Sequence, residues 1–181
     1  MISIERTSLP DVLLIHPRVF GDDRGHFFEP FNAAVFAEHG LPTHFVQDNQ
    51  SRSKAGVLRG LHLQLPPFAQ GKLVRVVRGS ALDVAVDLRT KSPSYGKWIS
   101  AVLSDVNHTM LWIPEGFAHG FLSLEDDTVF SYKCTAFYNK ASEASIRWDD
   151  NALGIEWGIE KPFLSDKDAS APLFHEFNSP F

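Results

Sequence analysis

One cysteine, Cys134, stands in the 181 residues, so no disulfide can close within the chain. No apolar run approaches the roughly 20 residues that a membrane-spanning helix needs. Near the N-terminus, "MISIERTSLPDVLLIHP" offers only the short run "VLLI" after charges at Glu5 and Arg6, so it reads as neither a signal peptide nor a span. A basic excess is missing too. There are 17 Lys and Arg against 22 Asp and Glu, a formal charge of -5. That argues against a nucleic-acid surface and leaves room for a local basic pocket facing a small anion. Repeats, low-complexity tracts, charge runs and linkers are likewise absent. Together these gaps predict one reduced, soluble, cytoplasmic domain over residues 1–181, with no membrane or nucleic-acid partner. The sequons at Asn49 ("NQS") and Asn107 ("NHT") then read as chance matches, since glycosylation needs secretion.

What is present is material for a core. Apolar residues make up 44% of the chain, with 15 Phe and 4 Trp, which rules out disorder of the whole chain. Short apolar or alternating segments recur: "HFFEPF", "HFVQDNQS", "GVLRGLHLQL", "KLVRVVRG", "ALDVAVDL", "WISAVL", "TMLWIP", "FAHGFLSL", "TVFSYKCTAFY" and "SIRW". Gly- and Pro-bearing turns separate them. Many short strands at this spacing predict an all-β sandwich or barrel. A few short helices are expected beside it. Asn32 suits an N-cap before "AAVFAEH", and Gly40 suits the left-handed position after it. A short helical tail is expected after residue 150. In "SALDVAVDLR", Leu82, Val84, Val86 and Leu88 share one face and Asp83 and Asp87 the other, which reads as a strand with one buried face. In "TVFSYKCTAFY", alternation groups Phe130, Tyr132, Cys134, Ala136 and Tyr138.

Some polar residues do not suit a plain core. "VLRGLHLQ" reads as a strand, yet it carries Arg59 and His62. Their odd spacing would send them to opposite faces of a regular strand. Gly60 between them predicts a bulge or bend that turns both toward a pocket. Lys72 opens "KLVRVV", and His119 sits in "PEGFAHGF". Taken singly, each is more often a satisfied or solvated residue than a functional one. The pattern Pro114, Gly116, His119 resembles the second motif of the cupin barrel, where a turn delivers a His to the interior. The first motif would supply His-x-His and then Glu. Here Gln64 replaces the second His and no Glu follows, which leaves a poor donor set for a transition metal. The reading is a cupin-type pocket without metal. A neutral His titrates near neutrality and can act as a base. Lys and Arg supply positive charge, and Tyr can donate a proton. Such a set suits proton abstraction beside a carbonyl through an enolate, which is epimerisation without a cofactor.

The stretches "VFGDDRGHFFEPFN", "FVQDNQSRSKAGVLRGLHLQ", "AQGKLVRVVRGSALDVAVDLR", "SPSYGKW", "LWIPEGFAHGFLSL", "RWDDNALGIEW" and "LSDKD" resemble the dTDP-4-dehydrorhamnose 3,5-epimerase family. The likeness runs from about Pro10 to about Pro172. It implies a cupin-type jelly-roll homodimer in dTDP-L-rhamnose biosynthesis. The implied substrate is dTDP-4-dehydro-6-deoxy-D-glucose, inverted at C3 and C5. The family's base falls on His62 with Asp168 as its partner, the proton donor on Tyr132, and the oxyanion-side cations on Lys72 and Arg59. Diphosphate and sugar contacts fall on Arg24, Glu29, His119, Glu143 and Lys167. Gln47 and Asn49 match positions that reach the nucleotide, by family habit across the dimer. Tyr138 and Phe27 match positions near the thymine or sugar. Gly158 departs from the pattern, since proline commonly follows the Trp there. Three other readings stand beside this one. They are an epimerase of a single centre, a sugar-binding barrel without catalysis, and a metal-dependent cupin oxygenase, against which Gln64 speaks.

Overall fold

A computed structural model describes residues 1–181. Thirteen strands run in the order β1 (Ile2–Arg6), β2 (Leu13–Pro17), β3 (Phe20–Asp22), β4 (Gly25–Phe27), β5 (Gln47–Ser53), β6 (Leu58–Gln64), β7 (Lys72–Arg78), β8 (Ser80–Asp87), β9 (Trp98–Ser104), β10 (Met110–Ile113), β11 (Phe117–Ser123), β12 (Thr128–Cys134) and β13 (Glu143–Ser145). The helices α1 (Ala33–Glu38) and α2 (Asp166–Ala169) are short. One sheet has the order β1-β2-β10-β7-β12-β5, a second β13-β6-β11-β8-β9, and β3 pairs only with β4. The strand pairings within these sheets are antiparallel, and the expected cupin-type jelly roll is what forms.

The side-chain period of two divides the apolar residues among three cores. Val74, Val76, Ala81, Ala85, Leu111, Phe117, Phe121 and Phe130 fill the space between the sheets. Leu58, Leu61, Val84, Val86, Leu88 and Leu122 pack outside the five-stranded sheet, under Leu153, Trp157 and the C-terminal segment. Ile15, Leu73, Met110 and Trp112 pack outside the six-stranded sheet, under Phe36 of α1. That helix starts where expected. The Asn32 side chain accepts hydrogen bonds from Ala34 N and Val35 N, and Gly40 follows at φ +68°, a cap arrangement worth about 1 kcal/mol.

Four expectations need correction. β8 is buried on both faces. Asp83 and Asp87 are fully buried, because their face looks into the barrel while Val84 and Val86 look into the outer core. β12 ends at Cys134, opposite Lys72 and Gln47 at the starts of its two partners. Beyond that point no strand remains to pair with, so Tyr138 lies in a loop. In "SIRW" only Ser145 is in a strand, since β13 ends there, and in "HFFEPF" pairing stops at Phe27. The short helical tail after residue 150, by contrast, does form, as the four-residue α2 and a 3-10 turn (Phe174–Glu176) among turns.

Candidate active site

A cavity of about 690 Å³ occupies one end of the barrel, between the two sheets, and Arg59 and His62 both line it. The bend at Gly60 brings them to one side. Pairing of β11 with β6 runs His119↔His62 and then Phe121↔Arg59, a register shift of one residue. Gly60 has φ +136°, and a Cβ there would stand 2.4 Å from Gly120 Cα. Both facts exclude any other residue. The result is visible in what each side chain meets. Leu58 and Leu61 share the outer core, while Arg59 and His62 share the cavity. Arg59 Nε donates to Ser53 Oγ at 3.2 Å.

His62 Nε2 lies 2.5 Å from Asp168 Oδ1. Asp168 is buried in α2, and its backbone N–H donates to the capping Ser165 hydroxyl. Burial alone would push the Asp168 carboxyl up. The His62 bond and charge, the Ser165 hydroxyl and the Gly60 backbone outweigh this and hold it below the ordinary carboxylate range. Gly158 has φ +72°, which a proline ring cannot adopt. The backbone at that residue therefore differs from a proline-bearing loop, and Asp168 still reaches His62.

The facing wall comes from the other sheet. Tyr132 of β12, Lys72 of β7, and Gln47 and Asn49 of β5 line the same cavity. Gln47 and Asn49 line this chain's own cavity, because β5 pairs with β12 of the same chain and Asn49 sits opposite Tyr132. Gln47 Nε2 donates to Asn49 Oδ1 at 2.9 Å. Burial pushes the Tyr132 phenol up, helped by Cys134 and opposed by Arg59. Lys72 is buried, with Nζ donating to the His62 carbonyl at 3.2 Å. Burial pulls its pKa down, while Cys134 and Asp83 work against that.

At the floor, His119 is buried and its Nε2 lies 2.9 and 3.2 Å from the two oxygens of Asp83. Sequence reasoning missed Asp83 by reading it as a solvated face. The available signal was that an Asp inside a run of Val and Ala pairs with a strand carrying a His. At the mouth, Lys167 Nζ meets Glu143 Oε1 at 2.5 Å, and Tyr138 Oη donates to Glu143 Oε2 at 3.3 Å. These three also line the cavity. Gln64 Oε1 accepts from Asn139 N at 2.8 Å, so the amide in the family's ligand position secures the mouth loop. No three His, Cys, Asp or Glu side chains cluster as metal donors. Arg24, Glu29 and Phe27 are not in the cavity. Arg24 is paired with Asp22 on the exposed β3–β4 hairpin, Phe27 is exposed beside it, and Glu29 accepts from Asn32.

A carboxylate-oriented imidazole on one wall, and a half-buried phenol and a buried ammonium on the other, define a cupin-type barrel equipped for acid–base chemistry. The chain belongs to the dTDP-4-dehydrorhamnose 3,5-epimerase family, whose model matches residues 6–176. A dTDP-4-dehydrorhamnose 3,5-epimerase of Shigella flexneri is 53% identical over 174 residues, with 96% of each chain covered. A crystal structure of a dTDP-4-dehydrorhamnose 3,5-epimerase from Elizabethkingia anophelis superposes at a TM-score of 0.92, with 48% identity over 97% of each chain. A dTDP-6-deoxy-D-glucose-3,5-epimerase of Legionella pneumophila, in complex with dTDP-4-keto-L-rhamnose, superposes at 0.94, with 46% identity over 98% of this chain and 95% of that one.

Proposed function

We propose that this chain inverts C3 and C5 of dTDP-4-dehydro-6-deoxy-D-glucose to give dTDP-4-dehydro-L-rhamnose, a step of dTDP-L-rhamnose biosynthesis. The observation that carries the reading is the placement of His62 with Asp168 on one sheet side of the cavity and Tyr132 on the other sheet. C3 and C5 both flank the C4 carbonyl, so one oxyanion serves both centres. With Nε2 bonded to Asp168, His62 Nδ1 carries the lone pair that takes the carbon-bound proton. Electrons move into the carbonyl, whose oxygen becomes the enolate held by Lys72 and Arg59. Tyr132 then delivers a proton from the opposite face. Only protons move, so no cofactor is required. The nucleotide end lies at the mouth, with Tyr138, Glu143 and Lys167.

The test is incubation of the protein with the 4-keto sugar nucleotide in D₂O. Deuterium at both C3 and C5 of an L-configured product is expected. Deuterium at one centre alone would make it a single-centre epimerase, and none at either would leave a binding barrel. The His62–Asp168 pair favours catalysis, because binding alone needs no oriented base.

We also propose a cytoplasmic homodimer. The β3–β4 hairpin pairs with no other strand and exposes Phe20 and Phe27, at 52% and 66%. It holds Arg24 outside this chain's own cavity, as a segment does that a second copy receives. Sedimentation at micromolar concentration should show a dimer. A fully active monomer there would contradict the assignment.

A further inference from the structure

The pair His119–Asp83 is not used by the proton transfers above. Asp83 is fully buried and does not line the cavity, and it stands behind His119, which does. Both its oxygens face His119 Nε2. His119 Nδ1 makes no hydrogen bond within the chain. The floor draws titratable and charged groups from each strand packed on it. They are Arg59 and His62 from β6, Lys72 from β7, Asp83 from β8, His119 from β11, and Tyr132 and Cys134 from β12. Asp83 is the carboxylate among them, and Asp168 across the cavity is engaged by His62.

A buried ammonium without a counter-charge gives up its proton, and a buried carboxylate without one takes a proton up. Burial pulls Lys72 down and pushes Asp83 up, and the charge of each opposes the other's shift; with Lys72 cationic, Asp83 anionic and His119 neutral, the floor carries no net charge. Burial, acting with the nearby Lys72 and His62 charges, pushes His119 away from the cationic form, and the Asp83 contact opposes it.

We propose that Asp83 is a positioning residue with two effects: it keeps Lys72 charged, and it fixes His119 as the tautomer whose bare Nδ1 accepts a hydrogen bond from a substrate hydroxyl. This rests on the epimerase reading and deepens it. It also narrows His119, expected among the diphosphate and sugar contacts, to the sugar. A bare ring nitrogen accepts and does not donate, so it suits a sugar hydroxyl and not a diphosphate. Asp83 acts through its two neighbours and touches no substrate atom.

The experiment has two arms. In the first, ¹⁵N spectra of the whole wild-type protein without substrate should show His119 neutral and protonated at Nε2 between about pH 6 and 8, on either side of the ordinary imidazole value. A proton on Nδ1, or a cationic ring in that range, overturns the proposal. In the second, Asp83→Asn should lower kcat by about 10²-fold, the scale of one lost oxyanion donor, with a smaller rise in KM from the loosened His119. Its alkaline limb should move to lower pH, because Lys72 without the anion loses its proton sooner. Asp83→Glu should bring that limb back toward wild type. A folded Asp83→Asn protein with an unmoved alkaline limb overturns the proposal. Should that variant not fold, the wild-type spectrum and the Asp83→Glu profile decide. A wild type with the expected tautomer but no exchange in D₂O would sink the epimerase reading alone.

Discussion

Replacing His62 with alanine is expected to abolish both deuterium exchange and inversion, at C3 and C5 alike. A positioned base contributes about 10²–10⁴-fold, and here one imidazole serves both centres, so neither reaction has a second route. Asp168 cannot take over. Its carboxylate is directed at His62 Nε2, so with the imidazole gone it stands about a ring's width short of the carbon-bound proton. The fold should survive. The His62 side chain is one-third exposed, at 33%, and its backbone stays paired with β11 and β13. What does change is acid tolerance. A carboxyl whose folded pKa lies below its unfolded value adds stability above the unfolded pKa, and that stability is lost as pH falls through the folded pKa. Without His62, Asp168 loses its chief charged partner, so this contribution shrinks and acid unfolding should begin at higher pH. The check is a D₂O exchange time course beside a dTDP-binding titration. Binding kept with exchange gone is the expected pair of results. Near-normal exchange would place the base elsewhere.

The chain shows how far a sequence carries its own site. Arg59 and His62 could be placed on one side of a pocket because an odd spacing interrupted by glycine has few structural solutions, and the register shift at Gly60 is one of them. Asn32 could be named as a cap because its chemistry is local. Asp83 was hidden for the opposite reason. Alternation along β8 reports that two faces differ, but not that both are covered, and only the arrival of β12 and the C-terminal segment buries each side. The same limit applies to Gln47 and Asn49. Their strand was legible, and the chain whose cavity they line was decided by the pairing of β5 with β12, which is nonlocal. Tyr138 failed for want of partners. A sequence can alternate past the point where neighbouring strands stop, and here the backbone pairing runs only one residue further, with Thr135 N donating to Gly71 O. The dyad itself joins residues 106 positions apart, and no periodicity relates them. Its assignment came from resemblance, and only the fold supplies the contact.

Replacing Tyr132 with phenylalanine should separate two events that wild type completes together. The step before reprotonation does not use the phenol. His62 Nδ1 still removes the proton, and Lys72 and Arg59 still hold the enolate oxygen, so the enolate forms. Burial pushes the Tyr132 phenol up and so favours its protonated form, which makes it a proton store for the far face that solvent does not replace once the hydroxyl is lost. The enolate then has one donor left, the imidazolium on the face from which the proton came. That imidazolium is open to water at the cavity, so it can trade its proton for deuterium before returning it. The product of such cycles is substrate carrying deuterium with retained configuration. Inversion should fall by about 10²–10⁴-fold, the value of a positioned acid, while exchange falls much less. Mass spectrometry of the sugar nucleotide beside proton coupling constants at C3 and C5 distinguishes the outcomes. Labelled substrate of unchanged configuration supports acid and base on opposite walls. Parallel loss of exchange and inversion, matching the His62→Ala variant, would show that Tyr132 acts before the enolate forms and that the two-wall assignment is wrong.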